Sequence, residues 1–503
     1  GSRPMNPVRR SIAFSAVEKY LSQILLIATT AIMARVLTPA ETGLYMTANA
    51  VILLADNFRN FGVGIYIIQE KQVDRALMRS AFTVTLAITL AIAAAIYVGA
   101  GSIASFYASP ELKTLLVVAT LGFLAVPFGS PVMALLQRDM AFRAVACINS
   151  AAALAGFAVT VTLGLRGFGP ISYIWGFIAT SFVIAILAFA ARPQAWMFVP
   201  SFHGASRLLS FGVVSSLITV ANMVYDLLPR LAFGKILGFD AVGLYSRAIN
   251  VCQLPDRAVT SALSPVILPA FASQARAGGS LKESYLRGLS LMLAVQWPAL
   301  ITLAMLANPI VHLLLGPQWG QVPPLVRMMA LANLALAPAA LTFPVLVAAG
   351  RIKDALWSSL VSLPPSVAIV VAAAFVSLEA VAASLFVVAP LQMLVAYLFI
   401  RRAIGLTWAE LAQASRDSAL LTLGCALAPV VVVALSPAGF ELNGLQTLAA
   451  LIGAAAGWLA VLIGIDHPAK HEIALGLGFL SRRVPPSSPA ARLRPACETK
   501  QGC

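Results

Sequence analysis

The chain has 503 residues, 60% of them hydrophobic and 11% charged, with a net charge of +15. Soluble domains carry roughly 25% charged residues, and one core cannot absorb so much apolar surface without splitting into domains, so an ordinary cytosolic enzyme is excluded. Apolar segments of about 20 residues, the length that crosses a bilayer, follow one another along the chain and predict an all-α polytopic membrane protein.

Gly1-Ser2, ahead of Met5, reads as a vector remnant and plays no part in the fold. Arg9 and Arg10 open the first apolar stretch, which contains Glu18 and Lys19 and lacks a small-x-small cleavage site. It is expected to be an uncleaved span rather than a signal peptide. About fourteen spans are predicted, near 11–36, 43–69, 80–107, 112–137, 144–165, 168–191, 207–237 and 241–273, then 284–307, 323–349, 354–376, 379–400, 417–436 and 444–465. Spans 1–6 form an N-lobe (1–200), spans 7–12 a C-lobe (201–402), and spans 13 and 14 an extra pair (403–466). The tail, 467–503, is rich in Pro, Ser and Arg and is expected to be disordered and cytoplasmic.

Charge supports this count. With the N-terminus inside, inward segments hold 24 of the 34 Lys and Arg, and outward ends hold 5. That bias is the positive-inside rule. The basic balance therefore reports orientation, with both termini cytoplasmic, and offers nothing to nucleic acid. Cys147, Cys252, Cys425, Cys497 and Cys503 contain no C-x-x-C pair, which argues against a disulfide framework or zinc site. His467 and His471 stand i, i+4 beside Glu472, but Pro468 interrupts the turn, so a solvated helix end is expected there and no metal or cofactor.

Two stretches match at an offset of 200 residues. Ala34-Arg35-Val36-Leu37 is echoed by Gly234-Lys235-Ile236-Leu237, and Gly43-Leu44-Tyr45 by Gly243-Leu244-Tyr245. Ala48, Val51, Leu54 and Asp56 meet Ala248, Val251, Leu254 and Asp256 at the same offset. Later the register drifts, yet Pro131 precedes Arg138 by seven residues as Pro344 precedes Arg351. Six crossings separate the copies, an even number, so the lobes are parallel repeats, an architecture of secondary transporters.

Away from the span ends nine charged residues remain: Lys19, Arg59, Arg230, Arg247 and Arg257, with Glu18, Asp56, Asp226 and Asp256. An ionised group at the bilayer centre costs at least about 2.5–3.5 kcal/mol, so these must face a bundle interior or a wet cavity. All nine sit in spans 1, 2, 7 and 8, the opening pair of each repeat. At 100° per residue, Ser11, Ser15, Glu18, Ser22 and Thr29 form one stripe on span 1, with Lys19 on its flank. Span 2 aligns Tyr45, Asn49, Asp56, Arg59 and Asn60; span 7 aligns Asn222, Asp226 and Arg230; span 8 aligns Arg247, Asn250 and Arg257, with Asp256 pointing away. Four polar faces can line one cavity. Interhelical salt bridges (Asp226 with Arg230, Asp56 with Arg59) are the plainer alternative. Bases outnumber acids, and Arg suits bidentate recognition of phosphate or carboxylate, so an anionic cargo is expected. Prolines within spans, among them Pro127, Pro131, Pro298, Pro338, Pro344, Pro390 and Pro429, favour kinks suited to rocking.

The run Ala34-Arg35-Val36-Leu37-Thr38-Pro39-Ala40-Glu41-Thr42-Gly43-Leu44-Tyr45, continuing through Asp56 to Ile68-Gln69, resembles the opening of Wzx-type lipid-linked oligosaccharide flippases. So does Val242-Gly243-Leu244-Tyr245-Ser246-Arg247-Ala248 with Gln253-Leu254-Pro255 and Pro269. These belong to the multidrug/oligosaccharidyl-lipid/polysaccharide (MOP) exporter superfamily, and the resemblance covers about 1–400. It implies a V of two six-helix lobes, a central cavity lined by spans 1, 2, 7 and 8, and a lipid-tail groove made with spans 13 and 14. It further implies an undecaprenyl-diphosphate oligosaccharide as cargo, moved from the cytoplasmic to the periplasmic leaflet of a bacterial inner membrane, with the pathway's polymerase as a candidate partner. Coupling to H+ or Na+ through Glu18 or Asp56 is expected from acids beside a cationic face. A multidrug exporter of the same superfamily and a peptidoglycan-precursor flippase remain alternatives. A membrane polymerase or ligase is disfavoured, since no outward connection is large enough for a catalytic domain.

Overall fold

The computed structural model describes residues 7–59, 63–70, 73–202, 223, 227–257, 271, 279–465 and 467–470. The helices are α1 (Pro7–Val36), α2 (Pro39–Arg59), α3 (Val63–Gln69), α4 (Arg75–Phe106), α5 (Pro110–Arg138), α6 (Phe142–Leu165) and α7 (Ile171–Ala191). After a helical segment at 227–236 come α8 (Phe239–Cys252), α9 (Leu281–Met305), α10 (Ala307–Leu315), α11 (Val322–Leu336) and α12 (Thr342–Ala348). The chain continues with α13 (Ile352–Ala374), α14 (Leu378–Ile404), α15 (Trp408–Leu435) and α16 (Gly444–Gly464). Among the described residues there is no strand.

Polar caps set the helix ends more sharply than hydropathy does. The Asp74 carboxylate accepts from the Leu77 N–H at 2.7 Å and starts α4 at Arg75, ahead of the predicted residue 80. Reciprocal capping boxes, Thr407 with Glu410 and Asn443 with Gln446, start α15 and α16, satisfying N–H groups that a helix start leaves orphaned. In α15 this adds a charged first turn that the predicted span, beginning at 417, left out. Pro338 acts as expected of a breaker: α11 gives way to a 3-10 turn at Ala337–Leu341 and resumes as α12. Pro127, Pro131, Pro298, Pro390 and Pro429 lie inside continuous helices.

Eleven helices among the described residues are long and apolar enough to cross a membrane. The predicted spans not among them are 43–69, divided between α2 and α3, and 207–237 and 241–273, each of which runs partly outside the described residues. In span 2 the polar and charged residues of α2 lower its apolar content.

In the first half α4 packs on α5, α5 and α6 on α7, and α1 on α6. In the second, α9 packs on α11, α11 and α13 on α14, and the α15–α16 pair docks on α9. The halves meet where α2 lies against α8. A Cβ on Gly43 would stand 1.7 Å from the Phe239 carbonyl oxygen, and one on Gly243 2.1 Å from that of Pro39. Phe239 and Pro39, like the glycines, are 200 residues apart, so the contact has the reciprocity of a pseudo-two-fold axis, with no room for a side chain.

Around this contact one end of the molecule is closed by bonds that cross between the halves. Arg35, at the end of α1, donates to the carbonyls of Leu313 (2.5 Å) and Leu314 (3.3 Å), at the end of α10. Lys235 donates to Phe106 O at 2.6 Å, at the end of α4, and the Tyr107 hydroxyl donates to Leu231 O at 2.9 Å. Trp319 Nε1 donates to Ala34 O at 2.7 Å, and Gln318 Nε2 donates to the same oxygen.

Candidate anion-binding cavity

Beneath the closed end lies a cavity of about 240 Å³. Its polar lining includes Arg230, Arg247 and Arg257 with Asn49, Asn250, Tyr45, Tyr173, Thr29 and Thr30, and its apolar lining includes Leu26 and Leu315. Three guanidinium groups line it, and among the described residues no acidic side chain does. The local reason is helical register. Arg247, Asn250, Leu254 and Arg257 recur at i, i+3, i+7 and i+10, which sets them on one face of α8 and its continuation.

Arg247 is 1% exposed. One amino group reaches the Tyr173 hydroxyl at 3.4 Å, its guanidinium carbon lies 5.4 Å from the Trp319 ring centroid, and Nε has no hydrogen-bond partner. Removing such a charge from water costs several kcal/mol; a desolvated cation–π contact returns only about 2 kcal/mol. The cation is thus held in place by neutral aromatics while its charge stays uncompensated, which leaves it ready for an anion. Tyr173 is itself fixed by Tyr45, stacked at 4.1 Å and 10°. Arg257 is steadied by Gln253 Oε1 at 2.9 Å. Among the described residues, the ion pairs Arg192–Asp139, Lys282–Glu410 and Arg351–Asp354 lie elsewhere, at helix ends.

Seven expected residues therefore come together: Arg230, Arg247, Arg257, Asn49 and Asn250, with Thr29 and Tyr45 of the predicted stripes. Others do not join them. Lys19 is exposed and Glu18 half-buried on α1, and Asp56 is half-buried on α2, all outside the lining. Asn222, Asp226 and the Arg59 side chain lie outside the described residues. Asp256 faces a different cavity of about 440 Å³ inside the second half, where it accepts from Gln296 Nε2 at 3.3 Å. Tyr173 and Trp319 were not expected from the sequence: one comes from a span without charge, the other from the turn after α10.

Two further features flank the cavity. An apolar groove of about 510 Å³ is walled by Val295, Pro298 and Thr302 of α9, Cys425 of α15, and Leu451 and Trp458 of α16. Near the starts of α9 and α15, His467 corrects the expectation of a solvated helix end, being 1% exposed. Its Nε2 contacts the hydroxyls of Ser290 and Ser418 at 3.1 and 3.2 Å, and its Nδ1 accepts from the Ala469 N–H at 3.0 Å. An unprotonated Nδ1 requires neutral imidazole, and burial pushes its pKa below the usual histidine value, with Asp417 acting in the opposite sense. Among the described residues no group of three or more His, Cys, Asp and Glu could hold a metal ion.

Residues 32–324 match a family described as polysaccharide biosynthesis protein. The chain is 28% identical over 366 residues to the succinoglycan biosynthesis transport protein ExoT of Rhizobium meliloti, covering 70% of this chain and 72% of that one. It is 26% identical over 310 residues to the lipopolysaccharide biosynthesis protein WzxC of Escherichia coli, covering 60% of this chain and 62% of the relative. It is 22% identical over 454 residues to the teichuronic acid biosynthesis protein TuaB of Bacillus subtilis, covering 90% and 94%. In fold it is similar to the lipid II flippase MurJ in an inward-closed conformation (TM-score 0.71, 13% identity, 90% of this chain and 98% of that one). It is also similar to an inward-facing MATE multidrug transporter of the MOP superfamily (TM-score 0.61, 14% identity, 78% and 98%). A match across more than half its length, on an all-helical fold shared with MOP-superfamily transporters, places this chain in the polysaccharide biosynthesis protein family.

Proposed function

We propose that the protein is a flippase that carries a diphosphate-linked oligosaccharide on a polyprenyl lipid, undecaprenyl being the carrier the resemblance implies, from the cytoplasmic to the periplasmic leaflet of a bacterial inner membrane. The observation that carries this reading is the cavity lined by Arg230, Arg247 and Arg257, with the fully buried Arg247 held by aromatic rings and no acidic side chain among the described lining residues. A pyrophosphate offers paired oxygens to guanidinium forks, and the sugar needs only water and hydrogen-bonding groups. The apolar groove beside α9, α15 and α16 suits the lipid tail. With the basic segments inside, the closed end of the molecule is outward, and the cavity loads from the cytoplasm. The action is transport rather than bond chemistry, in keeping with relatives named for polysaccharide biosynthesis and transport. Glu18 and Asp56 keep their candidacy for H+ or Na+ coupling, at a distance from the anion cavity, and a polymerase remains a candidate partner.

The experiment is complementation. A strain lacking the protein retains its lipid-linked oligosaccharide on the inner leaflet, and the wild-type chain releases it. The triple replacement of Arg230, Arg247 and Arg257 by Gln restores less than about a tenth of export at equal membrane abundance. Full restoration by the triple variant ends the proposal. The likeness to MurJ favours one second reading, transport of the peptidoglycan precursor; rescue of cell-wall synthesis in place of surface polysaccharide selects it.

A further inference from the structure

Trp319 stands between the cationic cavity and the closed end of the molecule. Its indole is fully buried, and its two chemical faces are divided between the two tasks. The ring carries the Arg247 guanidinium at 5.4 Å from its centroid. The N–H crosses from the second half to the first and donates to Ala34 O at 2.7 Å. That oxygen belongs to the last turn of α1, where a helix has no internal donor for it; the Thr38 N–H, its ordinary partner, donates instead to Glu41 Oε2 at 2.8 Å. One bond of the closure is thus made by the same side chain that braces the cavity's most buried cation.

We propose that Trp319 is the positioning residue that couples anion binding at Arg247 to release of the closed end. An anion in the cavity draws the guanidinium toward its oxygens, a stronger partner for Arg than an aromatic face. The indole then loses the cation that holds it in register, and its bond to Ala34 weakens. Coupling of this kind is reciprocal: a closed end disfavours the anion, and the anion disfavours the closed end. The outward end therefore opens mainly when cargo is aboard. This rests on the anion-binding reading of the cavity and adds the route by which occupancy is sensed.

The test uses the full chain in nanodiscs with spin labels at exposed Ala108 and Gln321, on opposite halves of the closed end, and inorganic pyrophosphate as probe. In the wild type, pyrophosphate raises the long-distance population several-fold. Trp319→Phe keeps an aromatic face and loses the N–H: the end opens without ligand, pyrophosphate still binds, and it no longer changes the distances. Lys235→Gln loosens the same end without touching Arg247, so pyrophosphate still shifts its distances by the wild-type factor. Should Trp319→Phe fold poorly, Arg247→Leu decides: without its cation the indole is released, so the end is open to the same extent whether or not pyrophosphate is added. A wild-type response in Trp319→Phe or in Arg247→Leu overturns the coupling while leaving the cavity's assignment intact. Failure of the wild type to bind pyrophosphate at all overturns the assignment and the coupling with it.

Discussion

Arg35 and Lys235, 200 residues apart, each cross the boundary between the halves to cap the carbonyl end of a helix on the other side. Arg35 serves the end of α10 through Leu313 and Leu314, and Lys235 serves the end of α4 through Phe106. A cation at a helix C-terminus is worth about 0.3–1 kcal/mol at an exposed site. Replacing both by Gln is expected to raise the open fraction of the outward end by roughly threefold to thirtyfold, at about 1.4 kcal/mol per factor of ten. Labelling of a cysteine at Asn49 by an impermeant maleimide applied outside spheroplasts measures it.

Gly43→Ala and Gly243→Ala are expected to lower folded yield sharply. Each Cβ would meet backbone carbonyl oxygen, at 1.7 and 2.1 Å, and backbone cannot swing aside as a side chain can. Overpacking costs about 1–3 kcal/mol and sometimes more. Gly99→Ala is the control, with nothing within 4 Å of the added carbon. Thermal unfolding of the purified proteins separates them, with Gly99→Ala at or above the wild type.

Arg247→Lys is expected to lose function although it keeps the charge. An ammonium cannot present a planar fork to phosphate, nor reach both the Tyr173 hydroxyl and the Trp319 ring as the guanidinium does. Export falls about tenfold at unchanged abundance, read in the complementation assay. The same substitution at exposed Lys-like positions such as Arg166 leaves export unchanged.

Stability of the α15–α16 pair against α9 is expected to depend on pH through His467. Its folded-state pKa lies below the ordinary value of 6.5. The unfolded state therefore binds the proton more readily, and stability rises with pH in this window. The contribution is complete above about pH 6.5 and is lost as pH falls below it toward the folded-state pKa. Hydrogen exchange in α16 becomes faster on acidification through that range, and His467→Gln flattens the profile.

Helices, their repeat and the clustering of arginines on α8 were legible in the sequence because each follows from spacing along one element. Periodicity gives azimuth but not depth. Glu18 shares its stripe with Thr29, which lines the cavity, yet eleven residues at 1.5 Å of rise separate them by about 16 Å along α1. Hence Glu18 and Lys19 have the right direction and the wrong level. Tyr173 and Trp319 carried no local signal, because what matters in them is the guanidinium that tertiary packing delivers from α8. His467 was misjudged for a similar reason: its partners, Ser290 and Ser418, are 177 and 49 residues away.

The crossing of α2 and α8 at Gly43 and Gly243 has a mechanical consequence. Bare main chain rolling on bare main chain has no interdigitated side chains to disengage and refit, so a tilt there meets little friction. The two glycines give the molecule a fulcrum on its symmetry axis, and leave the choice of tilt to the bonds around it.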